Sequence, residues 1–331
     1  MPMGDESQFE RTGPPQVDHF AWPPSTWVPV RWPPKPRTSW YNSLPFHIAL
    51  FLLTVLSTLV VGTHIALNYA HNVPVFDWDG IVAYFTQLRH HPGMMVLGVP
   101  FSLTLLTILL AHELGHYFTC RHYRIRATYP YFIPAPTLIG TLGAFIRIKS
   151  PIVNRRELFD IVISGPIAGF ILAVPAMIVA VFLAKGGIPA ATEGSVSLGN
   201  PLAVIILTKL FRHGLNPAAV TLHPVGCGAW VGLFATALNL LPVGQLDGGH
   251  ILYAVLGDKS RRISRGFYLV LLPLGLLWYG WFAWAAILLI LGLRHPILLD
   301  PDEPLGRKRR FLAIAAALMF ILTFMPTPFK L

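Results

Sequence analysis

The chain has 331 residues, of which 54% are hydrophobic and only 12% are charged, and its mean hydropathy is +0.57. This composition is too apolar for a water-soluble domain of this length, so it predicts an integral membrane protein. The formal net charge of +10 does not indicate nucleic-acid binding, because the Lys and Arg residues lie in short stretches that flank apolar segments, as in the loops of a multi-span protein.

The N-terminal part begins with a tail, residues 1–43, that is rich in Pro and Trp and has no apolar core. We expect this tail to be extended and cytoplasmic, with Trp side chains suited to the lipid interface. Residues 44–93 follow, with a first predicted span at Leu44–Tyr69 and an external loop that contains Asp77 and Asp79.

Residues 94–122 predict a helix in which a long uncharged run is followed by His112-Glu113-Leu114-Gly115-His116. Residues four apart lie on one face of a helix, so His112 and His116 can bind one Zn²⁺, while Glu113 is placed to accept a proton from water. Ionisable side chains are rare in apolar spans and are usually functional there, so the pattern predicts a metal site within a membrane. The alternative is a helix that merely ends in polar residues at the membrane interface.

The next segment, residues 127–151, is rich in proline and alternates between apolar and basic residues from Phe145 to Lys149. We interpret it as a short β-hairpin or re-entrant loop, because irregular backbone at membrane depth needs protein or water to satisfy its polar groups. A plain amphipathic cytoplasmic loop is the alternative.

Further apolar segments complete the predicted fold class, an all-α polytopic membrane protein with about six to seven transmembrane helices and the hairpin or re-entrant segment near the active site. Residues 94–260 form the membrane core that carries the metal site, and residues 261–331 form C-terminal transmembrane helices. Residues 185–222 are too short for an added globular domain. The predicted later segments are Leu158–Ala184, a short apolar piece at Leu202–Phe211, Pro224–Leu241, Gly266–Leu293 as one tilted helix or two short ones, and Phe311–Pro326.

A catalytic zinc usually has three protein ligands, so two histidines require a third group from elsewhere in the chain. Asp247 is the leading candidate, because it follows an apolar span and precedes two glycines at which the backbone can turn sharply. His250 and His122 are the alternative ligands. Capping of the following helix is the alternative role for Asp247.

Three sequence motifs in this order resemble the site-2 protease family of intramembrane zinc metalloproteases, in the branch without a PDZ domain. The motifs are Ala111-His112-Glu113-Leu114-Gly115-His116, Ser164-Gly165-Pro166-Ile167-Ala168-Gly169, and the run from Asn239 to Gly249. Many members have Asn where this chain has Gly169, so we carry over no polar role to that position. The resemblance implies one Zn²⁺ per chain with ligands His112, His116 and Asp247, Glu113 as general base, Asn239 as a polar contact to the substrate backbone, and a substrate-binding segment that includes Gly143 and Phe145.

The resemblance thus implies an intramembrane zinc metalloprotease that hydrolyses peptide bonds of transmembrane substrate proteins near the cytoplasmic side. The expected location is a bacterial cell (inner) membrane, with transmembrane substrates and the lipid bilayer as partners and no nucleic acid. The oligomeric state stays open. The alternative is a metal or proton transporter, which would need ionisable groups at several depths along a pathway.

The distribution of basic residues predicts the orientation of the chain. Arg and Lys are frequent between positions 121 and 156 and scarce in the loop around Asp77 and Asp79, so the former region should face the cytoplasm. We expect a reporter fused after Lys149 to read cytoplasmic and one fused near Asp79 to read external. The reverse pattern would mean that the site opens on the other side of the membrane.

Overall fold

The computed structural model describes residues 40–76, 80–187, 196–216, 220–292, 298, 300 and 303–330. The expectations for most of the Pro- and Trp-rich tail, and for Asp77 and Asp79, lie outside these residues. The described part is mostly helical, with small two-stranded sheets. The helices are α1 (Leu44–His71), α2 (Ile81–His90), α3 (Val99–His122), α4 (Arg155–Leu183), α5 (Leu202–Phe211), α6 (Pro224–Asn239), α7 (Asp247–Leu256), α8 (Ser260–Leu274), α9 (Gly280–Leu291) and α10 (Arg307–Thr323); the strands are β1 (Tyr131–Pro134), β2 (Thr141–Phe145), β3 (Lys185–Gly186), β4 (Ser197–Leu198), β5 (Val220–Thr221) and β6 (Phe329–Lys330).

Three helical segments of the described chain are long and apolar enough to cross a membrane: α1, α4, and Pro92–His122, which joins a 3₁₀ turn to α3. The expectation of six to seven transmembrane helices is therefore not confirmed. The region 266–293 is divided between α8 and α9, with Pro273 next to the end of α8. Proline removes a backbone donor and so favours a break at this point.

Helix α3 lies between α1, α4 and α6, and small residues allow the close approach of its neighbours. A Cβ atom built on Gly115 of α3 would lie 2.5 Å from the carbonyl oxygen of Ser164 in α4. A Cβ atom on Gly228 of α6 would lie 2.8 Å from the carbonyl oxygen of Phe101 in α3. Glycine is therefore required at both crossings, as is typical of helix packing in membranes, where close contact replaces the hydrophobic driving force.

The predicted hairpin is confirmed: β1 and β2 pair antiparallel, with Tyr131 opposite Phe145 and an irregularity between Phe132 and Pro134. Helix α1 holds this hairpin in place. The hydroxyl of Ser57 donates to the carbonyl of Gly140 at 2.6 Å, and the hydroxyl of Tyr131 donates to the carbonyl of Tyr41 at 3.0 Å. Within the described residues, β2 pairs only with β1, so its outer edge has no strand partner.

Candidate metal centre

Helix α3 carries two histidines on its inward face. His112 and His116 are one helical turn apart. Both are buried, with relative exposures of 5% for His112 and 7% for His116. Their Nε2 atoms lie 3.2 Å from each other. The helical spacing anticipated from the sequence therefore brings two ligand atoms to one point inside the protein.

Asp247 reaches the same point from α7. Its Oδ2 atom lies 3.3 Å from Nε2 of His112 and 3.3 Å from Nε2 of His116. The turn between α6 and α7 brings it there, and Gly248 is needed in this turn because a Cβ atom would overlap the carbonyl of Leu240. The N-cap of α7 is Leu246, so Asp247 does not occupy the capping position that was its alternative role.

The three donor atoms fit a zinc ion. A tetrahedral zinc with bonds of about 2.0–2.1 Å separates neighbouring ligand atoms by about 3.3 Å. The observed separations are 3.2, 3.3 and 3.3 Å. Two imidazoles and one carboxylate also match the donor set of catalytic zinc sites, which leave a fourth position open. Within the described residues, these three side chains are the one group of His, Cys, Asp or Glu that could hold a metal ion, so His250 and His122 are not part of it.

A backbone carbonyl of α4 orients the second histidine. The Nδ1 atom of His116 donates to the carbonyl oxygen of Ile161 at 2.7 Å, which leaves the lone pair on Nε2 for a metal. Gly165, one turn further along α4, makes room for the ring, since a Cβ atom there would overlap the imidazole. The small residues of this segment thus have a second role, beyond helix packing, at the metal centre.

Glu113 is next to the ligands and is also buried, with a relative exposure of 5%. Its carboxylate interacts with the backbone N–H of Ile146, the residue directly after β2. The hairpin is therefore adjacent to the one acidic side chain of the α3 motif.

The other predicted site residues are Asn239, Gly143 and Phe145. Asn239, the last residue of α6, has its Nδ2 atom 3.2 Å from Nε2 of His112. Phe145 stacks on Tyr131 and is 47% exposed, and Gly143 lines a neighbouring cavity. The structure therefore brings Asn239 to the metal centre and places Gly143 and Phe145 on the hairpin beside it.

A cavity of about 1160 Å³ lies beside the hairpin and was not anticipated from the sequence. Its lining includes Leu109, one turn before Glu113 in α3, and Leu238, next to Asn239, but none of the metal-centre residues themselves. Its other walls come from α1, α2, α6, the hairpin, the α8–α9 region and β6, and most of the lining side chains are apolar. Because these walls come from distant parts of the chain, local periodicity carries no signal for such a cavity.

Comparisons with known proteins identify the family of the chain. Residues 100–277 match the sequence profile of Peptidase family M50, and the chain belongs to this family, which comprises the site-2 proteases. The chain is 32% identical to "Probable zinc metalloprotease EGY1, chloroplastic" of Arabidopsis thaliana over 88% of its own length and 54% of the relative. It is 28% identical to "Probable zinc metalloprotease EGY2, chloroplastic" of the same plant over 79% of its own length and 47% of the relative.

Two limits follow from these relatives. The chain spans about half of their length, so their whole-protein activities do not transfer directly. Their names place them in the chloroplast, so the expectation of a bacterial cell membrane receives no support. The chain is thus a member of the site-2 protease family with helices that are long and apolar enough to cross a membrane.

Replacement of Asp247 tests the metal centre. Asp247→Asn keeps the size of the side chain but removes the one anionic ligand, so we expect zinc affinity to fall by more than the roughly 10–100-fold that loss of an outer partner costs. Asp247→Glu should retain part of the affinity. Zinc content and chelator competition on the purified protein measure both, with the exposed Asp258→Asn as a matched control. A full equivalent of zinc bound at wild-type affinity in Asp247→Asn would remove Asp247 from the ligand set.

Proposed function

We propose that this chain is an intramembrane zinc metalloendopeptidase that hydrolyses peptide bonds of transmembrane protein substrates, near the cytoplasmic side of the bilayer. One observation carries the proposal: His112, His116 and Asp247 converge within 3.3 Å of one another, with Glu113 beside them, inside an apolar helical core. This arrangement supplies three zinc ligands and a base in one buried place.

His112, His116 and Asp247 would hold one zinc ion per chain. When bound there, the ion would supply a Lewis acid for a peptide carbonyl and for water. His116 is held by the carbonyl of Ile161 so that its Nε2 atom faces the site, and the carboxylate of Asp247 contributes the negative charge that two neutral imidazoles lack.

Glu113 moves the protons of the reaction. Its carboxylate accepts a proton from the attacking water and passes it to the leaving amine when the peptide bond breaks. Its burial limits contact with bulk water. The backbone N–H of Ile146, directly after β2, interacts with this carboxylate.

The hairpin binds the substrate as an added strand. A transmembrane helix hides its carbonyl groups, so the substrate must unwind before hydrolysis. The outer edge of β2 can pair with the unwound segment through backbone hydrogen bonds, which is a common mode of peptide recognition. Gly143 and Phe145 lie on this strand, and the amide of Asn239 can contact the substrate backbone beside the ligands.

The cavity beside the hairpin holds the apolar part of the substrate next to the scissile bond. Its lining includes Leu109 and Leu238, which are close in sequence to Glu113 and Asn239, and Gly143 on β2. Its volume of about 1160 Å³ is above the usual range of about 300–1,000 Å³ for small-molecule pockets, which favours a polypeptide segment. Its apolar walls suit side chains from a transmembrane segment.

A metal or proton transporter fits the described residues less well. Transport needs ionisable groups at several depths along a pathway. In the described part of the chain, the metal-ligating side chains gather in one cluster. We therefore keep hydrolysis as the proposed function.

Glu113→Gln separates metal binding from chemistry. All three ligands remain, so we expect zinc content to be unchanged, whereas loss of the base should reduce peptide cleavage by about 100-fold or more. Substrates can be sought by comparing the membrane proteome of cells that express the wild type with that of cells that express the variant. Wild-type cleavage by the purified variant would remove Glu113 from its assigned role.

Ala235→Trp tests the cavity. Ala235 lies on its α6 wall, so an indole there fills space meant for the substrate. We expect KM to rise several-fold with unchanged zinc content and a smaller change in kcat, measured with a transmembrane substrate in vesicles. The exposed Ala283→Trp on α9 is the matched control. An unchanged KM in Ala235→Trp would mean that the substrate bypasses this cavity.

A further inference from the structure

The C-terminal helix α10 is joined to the helices of the metal centre by a charged cluster. Asp160 of α4 accepts hydrogen bonds from Nε and Nη2 of Arg309 at 2.8 and 2.6 Å, a two-point contact on both carboxylate oxygens. The hydroxyl of Tyr123, just after α3, donates to the same carboxylate. One side chain of α4 therefore connects α3, α4 and α10.

This cluster is close in sequence to the carbonyl that orients the metal centre. Asp160 directly precedes Ile161, whose carbonyl accepts the hydrogen bond from Nδ1 of His116. Tyr123 follows His116 by seven residues and lies just after the end of α3. The Asp160 carboxylate is thus linked to both helices of that hydrogen bond. It binds Tyr123, which follows the helix of the donor His116, and it belongs to α4, the helix of the acceptor Ile161.

The segment before α10 makes further contacts with the start of α4. The guanidinium of Arg156 pairs with Glu303 at 2.8 Å and donates to the carbonyl of Pro304 at 2.8 Å. The backbone N–H of Asp300 donates to the carbonyl of Val153 at 2.8 Å. Several independent contacts therefore hold the C-terminal segment against α4 near the Arg309 ion pair.

We propose that Arg309 is a positioning residue of the metal centre, which acts through Asp160 and Tyr123 to hold α4 against α3 and so to keep the Ile161 carbonyl on His116. Apolar packing alone gives little driving force for helix association in lipid, so a polar cluster at the end of the α3–α4 contact has a specific role. The two-point geometry requires the planar fork of arginine.

The hydroxyl of Tyr123 stays protonated to higher pH than that of an exposed tyrosine. Burial, together with the hydrogen bond to Asp160, raises the pKa of Tyr123, so its hydroxyl remains a donor. Arg309 lies outside residues 100–277, the part of the chain that matches the family profile. The proposal thus assigns a role at the site to a helix outside the matched region, and it rests on the proposed ligand role of His116.

The test compares Arg309→Gln, Arg309→Lys and Tyr123→Phe in the full chain, with the exposed Arg310→Gln as control. We expect Arg309→Gln to raise the zinc Kd by about tenfold, the lower end of the cost of outer-sphere changes, and to alter the visible spectrum of the Co²⁺-substituted protein. Arg309→Lys should restore part of the affinity, because it keeps the charge but loses one of the two contacts. Arg310→Gln should match the wild type.

The outcomes separate positioning from general stability. A lower unfolding temperature in Arg309→Gln with unchanged zinc Kd and Co²⁺ spectrum would overturn the proposal. Should Arg309→Gln fail to fold, Tyr123→Phe removes a single hydroxyl, and a wild-type Kd and spectrum in both Tyr123→Phe and Arg309→Lys would overturn it equally. Failure of the ligand assignment itself is distinguishable, because His116→Ala would then also bind zinc normally.

Discussion

The structure depends on the close contact between α3 and α4. Gly115 allows the two backbones to approach, Gly165 leaves room for the ring of His116, and the Ile161 carbonyl lies 2.7 Å from Nδ1 of that ring. A buried imidazole in an apolar core needs such a partner, because an unpaired polar group there is costly. Helix packing and ligand orientation are therefore consequences of one contact, and a larger side chain at either glycine would disturb both.

The polar groups of the centre are concentrated in a small volume that the surrounding elements enclose. Helix α3 contributes His112, Glu113 and His116, while α6 and α7 contribute Asn239 and Asp247 from the two sides of one turn. The hairpin completes the enclosure through Ile146, whose N–H reaches the Glu113 carboxylate. The site thus combines a rigid helical frame with an open strand edge, which suits the binding of an extended chain.

The family match and the geometry of the three ligand atoms are two separate arguments about this protein. The match to Peptidase family M50 and the similarity to chloroplast zinc metalloproteases establish the class of the protein. The donor geometry adds a reason that is independent of similarity, because separations of 3.2–3.3 Å between the ligand atoms are those of a tetrahedral zinc site. Substrate class and membrane side are proposals that rest on the hairpin, the cavity and the charge distribution.

The sequence by itself determined the α3 motif and the membrane character, because helical spacing and apolar runs are local properties of the chain. It indicated a hairpin or re-entrant loop at residues 127–151, with a plain loop left open. It also indicated Asp247 as the third ligand, but with His250, His122 and a capping role left open. Only the tertiary structure brought Asp247 to the two histidines, divided residues 266–293 into two helices, and showed the cavity and the Arg309–Asp160 pair. The physical reason is that these features depend on contacts between residues far apart in the chain, and such contacts leave no periodic signal in the sequence.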